Sequence, residues 1–446
     1  MTPATVWDAQ PLAEAGRGAR SHFGVLSYKG MGHLNPLIAL SRKLVDRGHR
    51  VTIFQAPEHE QAIRLQGLEF CAIGGYRSGH GQQNQFSSRL AAIRHGVRSI
   101  AEDIEFFLRT LPPAIHNAGI DALVMGEIAL SGPTVAEMLQ LPYFIVSTSI
   151  PHNFGWNAPR SIARRASWLA RLQKEVLEVS VLRMKGPVRR RLDRCRKDFG
   201  LGSIRKIKET FPELAHITQI PQCFDLPRLS LPNNFFYTGP FIDERARASI
   251  EFPWDLLDGR PLVYASLGTT RKNDPMIFHR IAEACSSLNV QLVISLGGRR
   301  EPSSFMGLPG NPLVVRNVPQ LELLKKAEIV VTHAGPNTVL ETLMRGKPMV
   351  ALPMVLDQPA VAARLKQYGV AEVLSSQNRS TQQIRAALLK VQVDPSYREA
   401  AEALQARMRA VDGLERAADI MEEALKTHAS RTPGRQHVDD VCLTKS

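Results

Sequence analysis

The sequence predicts an α/β protein built from two Rossmann-like parallel sheets that face a central cleft. Three observations carry this expectation. The chain is 446 residues long, too long for one ordinary core, so two domains are expected. Short apolar strands alternate with helical patterns in both halves, as in parallel sheets with helical crossovers. Hydrophobic residues make up 44% of the chain, enough for well-filled cores. No run of 18 uninterrupted apolar residues occurs, so a membrane-spanning helix is not expected.

Residues 1–21 carry Asp8 and Glu14 and lack an apolar stretch, so they read as a disordered leader rather than a signal peptide. A first domain is expected over 22–240, with strands at Phe23–Ser27, Val51–Gln55, Ala122–Met125 and Phe144–Ser147. Residues 241–260, with two charge runs and prolines nearby, read as a linker. A second domain is expected over 261–413. Its strands are Val263–Ser266, Leu292–Leu296, Leu313–Val315, Ile329–Thr332 and Met349–Leu352. The polar residues 428–446 read as a disordered tail. Five scattered cysteines (Cys71, Cys195, Cys223, Cys285, Cys442) show no metal-type spacing and suggest a reducing cytoplasm. Cys442 also misses the prenylation position.

The charge balance, 56 basic against 42 acidic residues, is uneven along the chain. Thirteen Lys/Arg lie between Arg160 and Lys197, against Glu175, Glu178 and Asp193. A solvated helical face is the plain reading. Peripheral contact with an anionic membrane surface is the alternative, and would suit a lipid-soluble substrate. Nucleic acid is not an expected partner, because no binding motif or interleaved aromatics accompany the charge.

The most informative stretch runs from Val330 to Arg364. An apolar strand turns through His333-Ala334-Gly335-Pro336-Asn337-Thr338 into a helix carrying Glu341. A small-residue turn before a helix start leaves free N–H groups and the positive end of the helix dipole as a phosphate seat. Pro336 suits a turn or first helical position. His333 can donate to a diphosphate oxygen, and Asn337 and Thr338 add donors. Glu341, one turn inside the helix, can hold the two hydroxyls of a ribose. Asp357 and Gln358, past the next strand, can read sugar hydroxyls.

The order His-x-Gly-x-Asn-Thr-x-x-Glu, followed by Gly-x-Pro-x-x-x-x-Pro-x-x-x-Asp-Gln, resembles the nucleotide-sugar signature of the UDP-glycosyltransferase superfamily. The similarity is closest to bacterial zeaxanthin glucosyltransferases and macrolide glycosyltransferases. It is carried as well by segments 30–54, 226–240, 261–269, 291–298 and 318–335, and it spans about residues 22 to 425. The resemblance implies a GT-B fold, with residues 414–427 forming a helix that returns to the first domain. It also implies a UDP-sugar as co-substrate and no further cofactor.

His33 follows the first strand, in a loop of the kind that lines the ligand crevice of parallel sheets. A neutral imidazole there can take the proton of an acceptor hydroxyl. A helix-entry histidine bonding its own backbone is the competing reading, and the resemblance favours the general base. Relatives usually orient this base with an aspartate where Gly126 stands here. Glu127, one residue on, is the candidate replacement, with an exposed loop carboxylate as the alternative. His49 reads as structural.

The remaining donor residues are Ser266, Gly268 and Thr269, closing one strand, and Val318 and Gln320 in the segment after another. Glycine lets the backbone approach a diphosphate closely, and Thr269 offers a hydroxyl. Relatives often stack an aromatic on the nucleobase where Asn317 stands, so here the base is expected against Arg316 or the Val318 backbone. No Asp-x-Asp pair occurs, so no metal clamp is expected. Leaving-group charge would rest on His333, Thr269 and the helix start.

Phe154 and Trp156 are the candidate acceptor contacts, with Phe106 and Phe107 as further options, although plain core packing is the usual use of aromatics. The function expected is inverting transfer of a hexose, glucose first, to a hydroxyl of an apolar natural product. A dTDP-deoxysugar user, a non-catalytic homologue acting as a partner protein and a nucleotide-sugar epimerase are the competing readings. Intact His33, Glu341 and Asp357-Gln358 argue against the last two.

Overall fold

Apolar runs of the two halves form two separate parallel sheets in the computed structural model. It describes residues 20–27, 30–74, 89–151, 187–204, 210–228, 231–247, 249–268, 275–298, 300–354, 357–375 and 377–431. The first sheet takes β1 (His22–Leu26), β2 (Arg50–Gln55), β3 (Glu69–Ala72), β4 (Ala122–Gly126), β5 (Tyr143–Ser147), β6 (Ala215–Thr218) and β7 (Phe235–Tyr237). Their order is β3-β2-β1-β4-β5-β6-β7. The second takes β8 (Leu262–Ser266), β9 (Gln291–Ser295), β10 (Leu313–Val315), β11 (Ala327–Thr332), β12 (Met349–Ala351) and β13 (Ala371–Val373). Its order is β10-β9-β8-β11-β12-β13. Every neighbouring pair is parallel.

The first half carries helices α1 (Met31–Asp46), α2 (Glu60–Arg64), α3 (Arg89–Ala118), α4 (Gly132–Leu139) and α5 (Pro187–Asp198). The second carries α6 (Pro275–Ser286), α7 (Gln320–Lys326), α8 (Pro336–Leu343), α9 (Gln358–Gln367), α10 (Thr381–Val393), α11 (Ser396–Arg409) and α12 (Gly413–Arg431). Strands read as continuous apolar runs because helices cover both sheet faces. Side chains alternate between the faces. Phe23, Val25, Ala122, Val124, Phe144 and Val146 enter one buried cluster, while Leu26, Leu123, Met125 and Ile145 enter another. The second sheet sorts the same way, with Leu262, Tyr264 and Val330 on one side and Val263, Ala265 and Val331 on the other.

Four strands add to those read from the sequence: β3, β6, β7 and β13. Each has only three or four residues. In β6 the sequence Ala-His-Ile-Thr interrupts the apolar run with His216, yet all four residues are buried. Its ring finds a polar partner inside, so tertiary packing overrides local propensity there.

The last helix, α12, lies against α1. Leu414, Ala417, Ala418 and Met421 join the first sheet's core, alongside Leu34, Leu37 and Leu44. At its rim Arg47 pairs with Glu415, Asp419 and Glu422, and Lys43 with Glu415. His49 is buried and bonds Glu422 at 3.1 Å, a structural use. The expected leader lies mostly, and the tail largely, outside the described residues, as does much of the basic run 160–197. The end of that run forms α5, where Arg196 is buried against Thr134 and Glu137, and Arg191 pairs with Glu105. These two cations therefore serve internal contacts. Among the described residues, no helix is long and apolar enough to cross a membrane.

The two sheets are joined by a buried charge cluster. Asp225, in the loop between β6 and β7, accepts from Arg364 of α9 at 2.5 Å and from Arg228 at 2.7 Å. Tyr237 donates to the same carboxylate at 2.8 Å. Side chains of Arg364 and Asp225 are 0% and 2% exposed. Burial alone would raise the carboxyl's pKa, but the Arg228 and Arg364 guanidiniums hold it below the ordinary carboxylate range. Asp225→Asn should therefore destabilise the fold by about 3–5 kcal/mol, the range for breaking a buried ion pair. Urea unfolding checks this, and a loss below about 1 kcal/mol would contradict the account.

Candidate active site

In each sheet the chain reverses its direction of strand addition once, between β1 and β4 and between β8 and β11. Ligands of such sheets bind beyond the carboxyl ends of strands at these points. The residues singled out in sequence cluster there: His33 after β1, Glu127 after β4, Gly268 after β8 and His333 after β11.

His33 sits in the first turn of α1, a helix entered through Gly30 at a φ of 102°. Pro36 lies inside that helix and has no N–H, so it cannot donate to the carbonyl four residues earlier. That carbonyl belongs to Gly32. It accepts instead from the side-chain amide of Asn337, at the start of α8 in the second domain. Asn337 in turn accepts from Gln219 Nε2 at 2.7 Å, and the same nitrogen donates to the Thr148 carbonyl at 2.5 Å. The Thr148 hydroxyl meets His33 Nδ1 at 2.9 Å. The tautomer that donates its Nδ1–H to Thr148 leaves the Nε2 lone pair as the basic site.

Thr148 is the middle of three hydroxyl residues that follow or end β5. Ser147 donates to the Glu127 carboxylate at 2.5 Å and meets His216 Nε2 at 2.7 Å. Ser149 donates to Asp357. Thr148 and Gln219 were missed in sequence; the only available signal was the run Ser147-Thr148-Ser149 at the end of an apolar strand. Glu127 thus has Ser147 as a partner, one residue before Thr148, whose hydroxyl meets His33.

On the donor side, Ala334 takes a left-handed conformation (φ 63°), with its N–H bonded to Thr332 Oγ1 at 3.2 Å. Gly335 caps α8, Pro336 holds its first position, and Asn337 and Thr338 follow in the first turn. His333 is 8% exposed, and its ring lies between two glycines. A Cβ on Gly268 would come within 2.6 Å of His333 Nε2, and one on Gly335 within 2.4 Å. Burial lowers the His333 pKa, against the Asp357 charge and a backbone hydrogen bond at Ser266, so the ring is neutral at pH 7. Among the described residues its buried Nδ1 has no hydrogen-bond partner, which leaves that atom for a ligand.

Glu341, 3% exposed, pairs with Arg247 and accepts from Gln320 Nε2 at 2.5 Å. Ser266 is buried at the end of β8, and Val318 is core. Asn317 is exposed, against Gly298, and Arg316 pairs with Glu301 at 3.2 Å. Gln358 Oε1 accepts from the Met354 N–H at 2.8 Å. Thr269, Phe154 and Trp156 lie outside the described residues. At the carboxyl ends of β1, β2 and β3, a mostly apolar cavity is lined by Leu26, Phe54, Ile73, Phe107 and Leu111, with buried Asp103 beside them. Phe106 instead packs under Gly74.

Residues 203–426 match the family described as UDP-glucoronosyl and UDP-glucosyl transferase, and residues 30–151 match the glycosyltransferase family 28 N-terminal domain. With this cleft between two parallel sheets, the chain belongs to the UDP-glucoronosyl and UDP-glucosyl transferase family and is a glycosyltransferase of GT-B fold. It is 28% identical to the zeaxanthin glucosyltransferase of Pantoea ananas, over 91% of this chain and 96% of that one. Among solved structures it resembles the kitacinnamycin glycosyltransferase, with a TM-score of 0.71 and 25% identity over 91% of this chain and 100% of that one. The calicheamicin glycosyltransferase CalG4 shares the fold, with a TM-score of 0.72 and 21% identity over 93% of this chain and 100% of that one.

Buried His216, beside Ser147, has its pKa pushed down to about 4 from 6.5, by burial first, against the raising effect of Glu127. A folded value below the unfolded one means that stability is full above pH 6.5 and falls as pH drops toward 4. The difference corresponds to about 3 kcal/mol. His216→Gln should remove this component, so wild type should lose that much more stability than the variant between pH 7 and 4. Parallel urea titrations that fall together would contradict it.

Proposed function

We propose that this glycosyltransferase moves a hexose, glucose first, from a UDP-sugar to a hydroxyl of an apolar natural product, with inversion at the anomeric carbon. The observation that carries the reading is the hydrogen-bond path from His33 through Thr148 and Gln219 to Asn337 and back to Gly32. It ties the proposed base to the helix start that would seat the diphosphate.

In this reading the donor diphosphate lies against the first turn of α8, beside His333. Glu341 takes the ribose hydroxyls, and Asp357 and Gln358 take those of the sugar. As the acceptor oxygen attacks the anomeric carbon, its proton passes to His33 Nε2. The bond from that carbon to the diphosphate oxygen breaks, and UDP leaves with the electron pair. One displacement with no protein nucleophile inverts the centre.

The apolar cavity beyond β1, β2 and β3 supports an apolar acceptor. The relative named for zeaxanthin, a carotenoid with hydroxylated ends, supports a long acceptor of that kind. Incubation with UDP-glucose and a panel of hydroxylated carotenoids, polyketides and terpenoids, read by mass spectrometry, tests the proposal. Absence of any glycosylated product across the panel and alternative donors would sink it.

His33→Ala should lower turnover by about 10²–10⁴, the usual share of a general base, with UDP affinity nearly unchanged. Thr148→Val should lower kcat by about 10–100-fold through a misaligned ring, again with little effect on UDP affinity. Turnover within about threefold of wild type in both variants would remove His33 from the chemistry.

A further inference from the structure

Arg247 lies outside the motif that runs from His333 to Gln358. It lies between β7 and β8, just after the single turn Glu244–Ala246, and it reaches the second domain to pair with Glu341 on α8. The two residues are separated by 94 positions in sequence. Arg247 donates to one carboxylate oxygen, Oε1. Gln320 Nε2 donates to the other, Oε2, at 2.5 Å. Gln320 is held by its own carbonyl oxygen, which accepts from the buried Tyr264 hydroxyl at 2.8 Å. Each oxygen of this buried carboxylate therefore carries a donor supplied by the protein.

We infer that Arg247 makes the donor site tolerant of the 2′-position, so that ribose and 2′-deoxyribose nucleoside diphosphates both bind. The inference rests on Glu341 being the sugar-binding carboxylate of the proposed donor site. A carboxylate has about four acceptor positions, so one donor on each oxygen still leaves room for ribose hydroxyls. A buried carboxylate with no cationic partner depends on both hydroxyls of a ribose, and loses a partner when the 2′-hydroxyl is missing. With Arg247 in place, neither oxygen is left without a donor when only the 3′-hydroxyl is present. The selectivity that usually follows from an unpaired buried group is then absent.

Calorimetric titration of the full chain with UDP and with 2′-deoxy-UDP, which share one base, isolates the sugar. Wild type should bind the two within about threefold of each other, since no buried group loses its last partner. Arg247→Met, which keeps the apolar stem, should bind UDP about tenfold or more tightly than its deoxy analogue. Arg247→Lys, which keeps a donor and a charge, should retain the wild-type ratio. Strong preference for UDP in wild type would overturn the inference, and so would an unchanged ratio in Arg247→Met. Failure of wild type to bind either nucleotide would overturn the donor-site reading itself, a result distinct from either of these.

Discussion

The cleft depends on the hydrogen bonds that leave the end of β5. Its last residue and the next two present three consecutive hydroxyls, and each meets a different part of the site. Ser147 engages Glu127 and His216, Thr148 meets His33, and Ser149 reaches Asp357 of the second domain. Parallel strands place all their carboxyl ends on one side, so one short segment can touch loops that follow β1, β4 and β6 together. Gln219, at the end of β6, extends this contact by holding the Thr148 carbonyl and Asn337 at once. A side chain supported by such a closed path is pre-organised, and chemistry that needs a base in one orientation gains from that.

Pro36 shows how a local irregularity becomes a contact between domains. Within a helix, proline leaves one carbonyl unsatisfied, normally a cost. Here the carbonyl is that of Gly32, next to His33, and the amide of Asn337 satisfies it. The same logic governs His333, whose ring fills the space left by two missing β-carbons at Gly268 and Gly335. Glycine at these positions is required by the volume of the neighbouring imidazole, in addition to any approach of a ligand. The Asp225–Arg364 cluster then ties the loop after β6 to α9, so the elements that bear Gln219 and Gln358 are held together at a second point.

Much of this was legible in the sequence because both sheets are buried on both faces. Nine strands appear as plain apolar runs, and the candidate donor residues His333, Asn337, Thr338 and Glu341 lie together in one strand–turn–helix segment. What was not legible depends on distance along the chain. Thr148 meets His33 across 115 residues, Gln219 meets Asn337 across 118 and Arg247 meets Glu341 across 94. No local pattern marks such pairs. Short strands such as β6 also escaped, because a buried histidine interrupts its apolar run and only the tertiary partner explains it. Glu127 could be read as a carboxylate after a strand end, but its bond to Ser147, from a neighbouring strand, could not.

The central claim is that one base, held by Thr148, drives a single displacement at a donor held across the cleft. The stereochemistry of the product tests it most directly. Proton NMR of the glycoside formed from an α-linked UDP-sugar should show the β-anomer as the only product. An α-linked product would require a second displacement or a different attacking group, and would contradict the account.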